Sequence, residues 1–480
     1  MIQVRPILLT LGILLVALAV LMIVPGLVVL KDGPEEAFVF FASAAFTLFI
    51  GGLLAVAGYS GKHARMGVRE GFLLTALSWI VVAAFAAVPF TGLGLPYTDA
   101  FFETMSGLTT TGSSVLTGLD SLPHGILFWR ALLCGIGGLG IVVMAIMILP
   151  YLRIGGMQLF QMESSDRSEK LMPRAVELMK SLARMYLGLV TLCTLVYVLL
   201  GMSFFDAICH AFASISTAGF STHDASFGYF NSPAIELAGI LFMGLGALPF
   251  VALIKAVHGG YDGLWRDAQI RGFVIFLFAV SLVLGIWHAI VNDVSFLTAW
   301  RLAAFNVTSI VTTTGFASSD YTLWGSFAVG TFFLLTFVGG CTGSTAGAIK
   351  IYRFQMAGML TRSYLSNLIS PNRVRRLVYN GRRVPEDVPF SVIAFFAVYM
   401  ATVGIVTVML TAMGLDFVTS ISSAATAIGN VGPGLGDIVG PVGNFSSLPP
   451  AAKWVLSAAM LLGRLELFTV LVLFRLEFWR

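Results

Sequence analysis

Charge is what this sequence has least of. Of 480 residues, 28 are Lys or Arg and 24 are Asp or Glu, 11% in all, where a soluble globular chain carries about 25%. That scarcity excludes a soluble enzyme, a nucleic-acid binder and a charged disordered regulator. Cysteine is scarce as well. Cys134, Cys193, Cys209 and Cys341 lie in apolar surroundings without C-x-x-C spacing, so they read as small packing residues, neither a disulfide framework nor a metal site. The chain also lacks a Walker lysine loop, an H-E-x-x-H and a Ser/His/Asp signature, which leaves chemistry on a covalent bond without its usual groups. His210 and His223 have no ligand partners at metal-binding spacing and read as structural.

What fills the space is apolar: 58% of residues are hydrophobic and the mean hydropathy is +0.92. This is the composition of a polytopic membrane protein. The 51 glycines and 17 prolines fall in clusters. Irregular backbone at membrane depth is tolerated only where it is buried in protein or lines a water-filled cavity, so the clusters point to a pathway.

Ten apolar runs cover residues 7–30, 37–59, 71–93, 125–150, 182–201, 233–257, 273–292, 325–349, 389–413 and 451–474, each near or above the ~20 residues that a spanning helix needs. The first is too long for the ~7–15-residue core of a signal peptide. The segments between them sort by charge sign. Lys62, Arg65 and Arg69, then Arg153, Arg167, Lys170, Arg174, Lys180 and Arg184, then Lys255, Arg266 and Arg271, then Lys350, Arg353, Arg362, Arg373, Arg375, Arg376, Arg382 and Arg383 all fall on one side. The other side holds Asp32, Glu35, Glu36, Asp99, Glu103, Asp120, Asp206, Asp224, Asp293, Asp320, Asp416 and Asp437. Positive charge is retained in the cytoplasm, so the N-terminus is expected inside and the acidic loops outside. An anionic outer mouth gathers cations. Arg130 and Arg301 sit near outer helix ends, within reach of the interface.

A repeat carries the chemistry. Between paired spans on the acidic side stand Thr109-Thr110-Thr111-Gly112-Ser113, Ser216-Thr217-Ala218-Gly219-Phe220, Thr312-Thr313-Thr314-Gly315-Phe316 and Gly429-Asn430-Val431-Gly432-Pro433, their glycines 107, 96 and 117 residues apart. Before them run short apolar or amphipathic segments, Asp99 to Leu108, Asp206 to Ile215, Arg301 to Val311 and Asp416 to Ile428. At ~1.5 Å per residue these reach about half-way through the ~30 Å hydrocarbon core. The predicted unit is span, re-entrant half-helix, polar-Gly loop, span. Four such units close around an axis, glycine turns successive carbonyls inward, and rings of carbonyls replace the hydration shell of a monovalent cation. Half-helix C-termini add partial negative charge. Gly/Thr packing faces between helices account for one such cluster but not for four in register.

In these loops the chain resembles the membrane subunit of bacterial Trk-type potassium uptake systems, in the Trk/Ktr/HKT superfamily. T-T-T-G-S, T-A-G-F-S, T-T-T-G-F and N-V-G-P-G match its four degenerate selectivity-filter loops, and the two extra N-terminal runs favour the TrkH-like branch over the shorter KtrB-like one. Compared with the T-V-G-Y-G of tetrameric channels, Ser113, Phe220, Phe316 and Pro433 replace Tyr, and only the fourth loop keeps a second glycine, Gly434. The resemblance implies K⁺ filter positions at Thr110, Thr111, Gly112, Thr217, Ala218, Gly219, Thr313, Thr314, Gly315, Asn430, Val431 and Gly432. It also implies a homodimer and a separate cytosolic TrkA-like ring carrying the nucleotide-binding domains, docked on the basic loops, which equally suit anionic lipid. No cofactor is expected in this chain, and K⁺ is cargo.

Two features suggest a gate. Gly339-Gly340-Cys341-Thr342-Gly343-Ser344-Thr345-Ala346-Gly347 breaks the run at 325–349. Its glycines form two overlapping G-x-x-x-G motifs, the pattern of a helix-packing face, while Thr342, Ser344 and Thr345 lower helix propensity and favour an irregular loop beneath the filter. The resemblance implies such an intramembrane loop in the third repeat. Arg464 stands inside the last run, where an arginine is expensive and marks function. It either faces the pore, as the resemblance implies, or pairs with Glu466 or backbone carbonyls, and residues two apart on a helix do not face each other.

The expected architecture is therefore an all-α membrane protein of ten transmembrane helices and four re-entrant pore helices. Residues 1–66 form two leading helices, and 67–155, 156–260, 261–370 and 371–480 form four pseudo-symmetric repeats, the third containing the gate loop. The expected function is K⁺ entry across the bacterial inner membrane. A K⁺ transporter coupled to Na⁺ or H⁺, drawing on Glu236 or Glu466, and a non-conducting scaffold are the alternatives.

Overall fold

The structure, a computed structural model, describes residues 2–30, 33–59, 67–147, 171–260, 262–370 and 377–480. Asp32, Lys62, Arg65, Arg153, Arg167, Lys170, Arg373, Arg375 and Arg376, used above to orient the chain, lie outside those residues.

Seven described helices are long and apolar enough to cross a membrane: α1 (Val4–Val29), α2 (Pro34–Gly58), α3 (Val68–Gly92), α5 (His124–Met147), α6 (Leu171–Leu199), α10 (Ala268–Val291) and α14 (Asp387–Ala412). Two further spans are bent pairs, α8 (Pro233–Gly246) with α9 (Phe250–Val257) at 103°, and α16 (Pro450–Arg464) with α17 (Phe468–Phe474) at 106°. Counting each bent pair once makes nine among the described residues. The tenth run, 325–349, holds only the ten-residue helix α12 (Ser326–Leu335). From 336 to 350 the chain leaves the helix and closes a two-residue parallel ladder, Val338–Gly339 against Ile349–Lys350, before α13 (Ile351–Ile369) begins.

Between the spans sit four short helices, α4 (Tyr97–Leu108), α7 (Phe204–Ser216), α11 (Phe296–Val311) and α15 (Phe417–Gly429); the first, second and fourth agree with their sequence-based ranges within two residues at each end, while the third begins at Phe296 and not at Arg301. Their starts have local causes. The Ser203 hydroxyl accepts from Asp206 N and the Asp416 carboxylate from Thr419 N, satisfying amides that the first turn leaves orphaned. Proline opens α2, α8 and α16 at the first turn, where its missing N–H is harmless. Arg382 and Arg383 lie exposed on a small hairpin turned by Asn380-Gly381, both at positive φ, the backbone that a tight hairpin requires.

Small residues set the packing. In the leading hairpin, a Cβ on Gly12, Gly51 or Gly58 would run into the backbone of the other helix, the close approach typical of membrane helix pairs. The same device repeats in the units. A Cβ on Gly137, Gly246 or Gly463 would collide with the carbonyl oxygen of Leu108, Ile215 or Ile428 respectively. Each of those carbonyls lies four residues before a loop glycine. In repeats 1, 2 and 4 the end of the short helix therefore rests against a glycine of the following span. In repeat 3 the corresponding stretch has unwound into 336–350.

A prediction follows for Gly137. Alanine normally favours a helix over glycine by about 1 kcal/mol, but here its Cβ overlaps Leu108 O, and overpacking costs about 1–3 kcal/mol. Gly137→Ala is expected to lower the thermal midpoint of the detergent-solubilised protein, and a midpoint at or above wild type would show that the approach is not as tight as described.

Candidate functional site

The four short helices end at Leu108, Ser216, Val311 and Gly429, and the loops that follow meet one another. Each loop has the same backbone. Thr110 (φ 51°), Thr217 (52°), Thr313 (59°) and Asn430 (53°) are left-handed, and two residues later so are Gly112 (86°), Gly219 (71°), Gly315 (87°) and Gly432 (110°). Left-handed φ is costly for a β-branched residue, and three threonines adopt it at equivalent positions. In every loop one residue at negative φ separates the two left-handed positions.

The loops also close on each other. A Cβ on Gly112 would meet Ala218 O, one on Gly219 would meet Thr314 O, one on Gly315 would meet Val431 O, and one on Gly432 would lie 2.9 Å from Thr111 O. Repeat 1 thus faces 2, 2 faces 3, 3 faces 4 and 4 faces 1. The twelve loop residues named above are brought together in this ring, and its eight non-glycine members are fully buried. Ser113 Oγ donates to Gly432 O at 2.8 Å and Asn430 Nδ2 to Thr111 Oγ1 at 2.9 Å, tying the fourth loop to the first. Thr109 with Thr111 and Thr312 with Thr314 pair their hydroxyls at 2.7 and 2.8 Å. Cys134 packs against Ala218 and Phe220 behind the second loop.

On one side of the ring opens a cavity of about 320 Å³, reached by all four loop glycines together with His223 and Asp224. His223 contacts Asp120 at 2.5 Å and Asp206 at 3.3 Å and stacks on Tyr229. The hydrogen bond from His223 holds the Asp120 carboxyl below the usual carboxylate range, so it stays ionised into moderate acid. His210 lies between Asp206 O and Ser221 Oγ.

On the other side lies the segment 336–350. Thr345 Oγ1 donates to Ile215 O at 3.0 Å and Gly246 O at 2.9 Å and accepts from Thr217 Oγ1 at 3.3 Å. Gly347 N donates to Thr313 Oγ1 at 2.6 Å, Ala348 N to Gly429 O at 2.8 Å, and Cys341 N to Ala247 O at 2.9 Å. Gly339 backs onto Gly347 O and Gly340 onto Ala247. Thr342 N reaches Gln269, Phe250 N reaches Gly343 O, and Ser344 Oγ bonds Cys341 O. The segment thereby touches repeats 2 and 4 and the base of the ring. No helix runs through it, so the G-x-x-x-G spacing does not mark a helix-packing face.

Arg464 is 3% exposed, and Nη1 donates to Thr345 O at 2.9 Å. Its Nε and Nη2 have no hydrogen-bond partner among the described residues. Glu466 turns away, because it and Leu467 are left-handed (φ 59° and 51°) at the bend after α16, and it ion-pairs with Arg353.

Several charges fall elsewhere than the charge pattern indicates. Lys350 and Arg353, grouped with a basic loop, are buried against the segment 336–350 and Glu466. Arg130, expected at the interface, is 2% exposed and ion-paired to a fully buried Glu103 at 2.7 Å. Asp99 is paired with Lys453 at 2.6 Å, so neither Glu103 nor Asp99 is a loose charge at the mouth. Arg301 pairs with Glu236 at 3.2 Å. No spacing signal marks these pairs, which join residues 27 to 354 positions apart.

Fold and ring together define a multi-pass membrane protein whose four loops converge on one axis, the architecture of a protein that passes small ions. A family model described as TrkH, cation transport protein, matches residues 36–479. The chain is 44% identical over 99% of its length to the Trk system potassium uptake protein TrkI of Halomonas elongata, covering 97% of that protein. It is 39% identical over 98% of both chains to the Trk system potassium uptake protein TrkH of Escherichia coli K12. The crystal structure of the potassium transporter TrkH from Vibrio parahaemolyticus superposes with a TM-score of 0.92 at 35% identity over the full length of both chains. The chain belongs to the TrkH family of cation transport proteins.

Proposed function

We propose that the protein takes up K⁺ through the axis of the ring, with carbonyls of Thr110, Thr111, Thr217, Ala218, Thr313, Thr314, Asn430 and Val431 replacing the ion's water and the four glycines making the turns. One observation carries this reading: two left-handed residues separated by one at negative φ recur in all four loops. The drive is the membrane potential, about 2.3 kcal/mol per charge per 100 mV. The acidic mouth faces outside and the N-terminus lies in the cytoplasm of the bacterial inner membrane.

Gating rests on 339–347 and Arg464. The segment crosses the base of the ring, and the guanidinium sets a positive charge in the ion's path. A homodimer regulated by a cytosolic TrkA-like nucleotide-binding ring completes the assembly, docked on basic surface such as Arg382 and Arg383. The ion-coupled alternative has less support, since Glu236 and Glu466 are each engaged by an arginine.

The deciding experiment is the reversal potential of reconstituted protein under opposed K⁺ and Na⁺ gradients, expected to follow K⁺. A potential indifferent to the K⁺ gradient would sink the reading, and a fixed Na⁺ or H⁺ stoichiometry would favour coupling. Thr345→Ala tests the gate. It removes a hydroxyl anchored on Ile215 O and Gly246 O, worth about 1 kcal/mol net, so basal K⁺ flux is expected to rise about fivefold. Flux equal to wild type would detach Thr345 from gating.

A further inference from the structure

Beside the first two loops, reaching the wall of the cavity through Arg130, lies a charged network that supplies none of the ring carbonyls. Arg130, on α5, donates Nε to Glu103 Oε1 at 2.7 Å, Nη1 to Ser221 O at 2.9 Å and Nη2 to Ser114 Oγ at 3.2 Å. Its guanidinium lies over the Phe220 ring, 4.2 Å from the centroid. Glu103, on α4, accepts from Ser114 Oγ at 2.9 Å and from Val115 N at 2.9 Å. Ser114 and Ser221 are each two residues past a loop glycine, so the pair grips the descending limbs of both loops. Ser114 O also accepts from Phe445 N at 2.9 Å, which extends the hold to repeat 4.

The other repeats show what is particular here. Nine residues before the loop glycine stands Glu103 in repeat 1, His210 in repeat 2, Asn306 in repeat 3 and Ser423 in repeat 4. His210 bonds Ser221 Oγ, and Asn306 Oδ1 accepts from Ser318 N at 3.3 Å. In three repeats the short helix therefore holds its own descending limb from this position. Only repeat 1 does so with a charge, and only there does the counter-charge reach into the next repeat. A buried ion pair is rarely the cheapest way to stabilise a core, whereas a planar guanidinium fixes several acceptors at set angles. Here those acceptors belong to two adjacent loops.

We infer that Glu103 and Arg130 are positioning residues for ion selectivity, setting the separation of loops 1 and 2 and with it the fit of the ring to K⁺ over Na⁺. The inference rests on the filter reading above. Arg130 reaches the wall of the cavity beside the ring, while Glu103 is fully buried. They act through Ser114, Ser221 and Phe220.

The test is the bi-ionic reversal potential of full-length protein in liposomes for wild type, Glu103→Gln, Arg130→Lys and Ser114→Ala. Glu103→Gln keeps shape and loses charge. Arg130→Lys keeps charge and loses the fork. Each is expected to lower the K⁺/Na⁺ permeability ratio at least about fivefold, which corresponds to about 1 kcal/mol of discrimination, while K⁺ still passes. A purely structural role would reduce the yield of folded protein and leave the ratio alone, so folded variants within about twofold of the wild-type ratio overturn the inference. Should both charge variants fail to fold, Ser114→Ala decides, because it removes only the hydroxyl shared by the two charges, and an unchanged ratio there overturns it equally. A wild type that does not discriminate sinks the filter reading itself, a result distinct from a selective wild type with selective variants.

Discussion

Gly219→Ala is expected to reduce K⁺ uptake by at least about a hundredfold. Two costs coincide. Alanine at φ 71° is disfavoured by about 1–2 kcal/mol. Its Cβ would also overlap Thr314 O, a carbonyl of the next loop in the ring, and a backbone carbonyl can retreat only by carrying its loop away from the axis. Carbonyls that have moved by an ångström no longer replace a hydration shell, and a factor of one hundred is about 2.7 kcal/mol of barrier. Gly188→Ala and Gly404→Ala are the controls, since a Cβ at either site meets nothing within 4 Å. Uptake assays in cells lacking other K⁺ systems, with the amount of folded protein measured alongside, read the result. Wild-type uptake in Gly219→Ala would remove the second loop from the pathway.

Arg464→Ala is expected to act in the opposite direction, raising K⁺ flux about tenfold or more. At an effective dielectric constant near 20, a like charge within roughly 8 Å raises the energy of a passing cation by about 2 kcal/mol, and 1.36 kcal/mol is a factor of ten in rate. The substitution also frees Thr345 O from its only side-chain donor among the described residues. Arg464→Lys separates the two contributions. It preserves the charge, so flux near wild type in the lysine variant with high flux in the alanine variant identifies an electrostatic barrier. High flux in both identifies the hydrogen bond to the segment. Unchanged flux in Arg464→Ala ends the role assigned to it.

The four loops and their short helices were legible because each is a local event, a polar cluster and a glycine closing a half-length apolar segment. The expected start of the second short helix at Asp206, for example, differs by two residues from the helix Phe204–Ser216. What escaped is non-local or silent in composition. Thr110, Thr217 and Thr313 carry left-handed φ that no residue preference announces, since threonine avoids it, whereas asparagine at Asn430 tolerates it. The bend after Arg464 passes through Glu466 and Leu467, neither of them a breaker, so hydropathy reads straight through. The bend between Gly246 and Phe250 carries Pro249 but no polar residue to interrupt the run. Arg353 was placed in a basic loop because its neighbours in sequence are basic, while its partner Glu466 lies 113 residues on. Arg130 looked peripheral because it stands seven residues into its helix, and only the fold folds the second repeat over that end.

The order in which the loop glycines meet their neighbours has a consequence for inheritance. Each quarter of the ring borrows its clearance from the quarter after it, so the four stretches T-T-T-G, S-T-A-G, T-T-T-G and G-N-V-G are not free to change independently. Side chains along a loop can be exchanged, but a glycine lost in one quarter is a defect delivered to another.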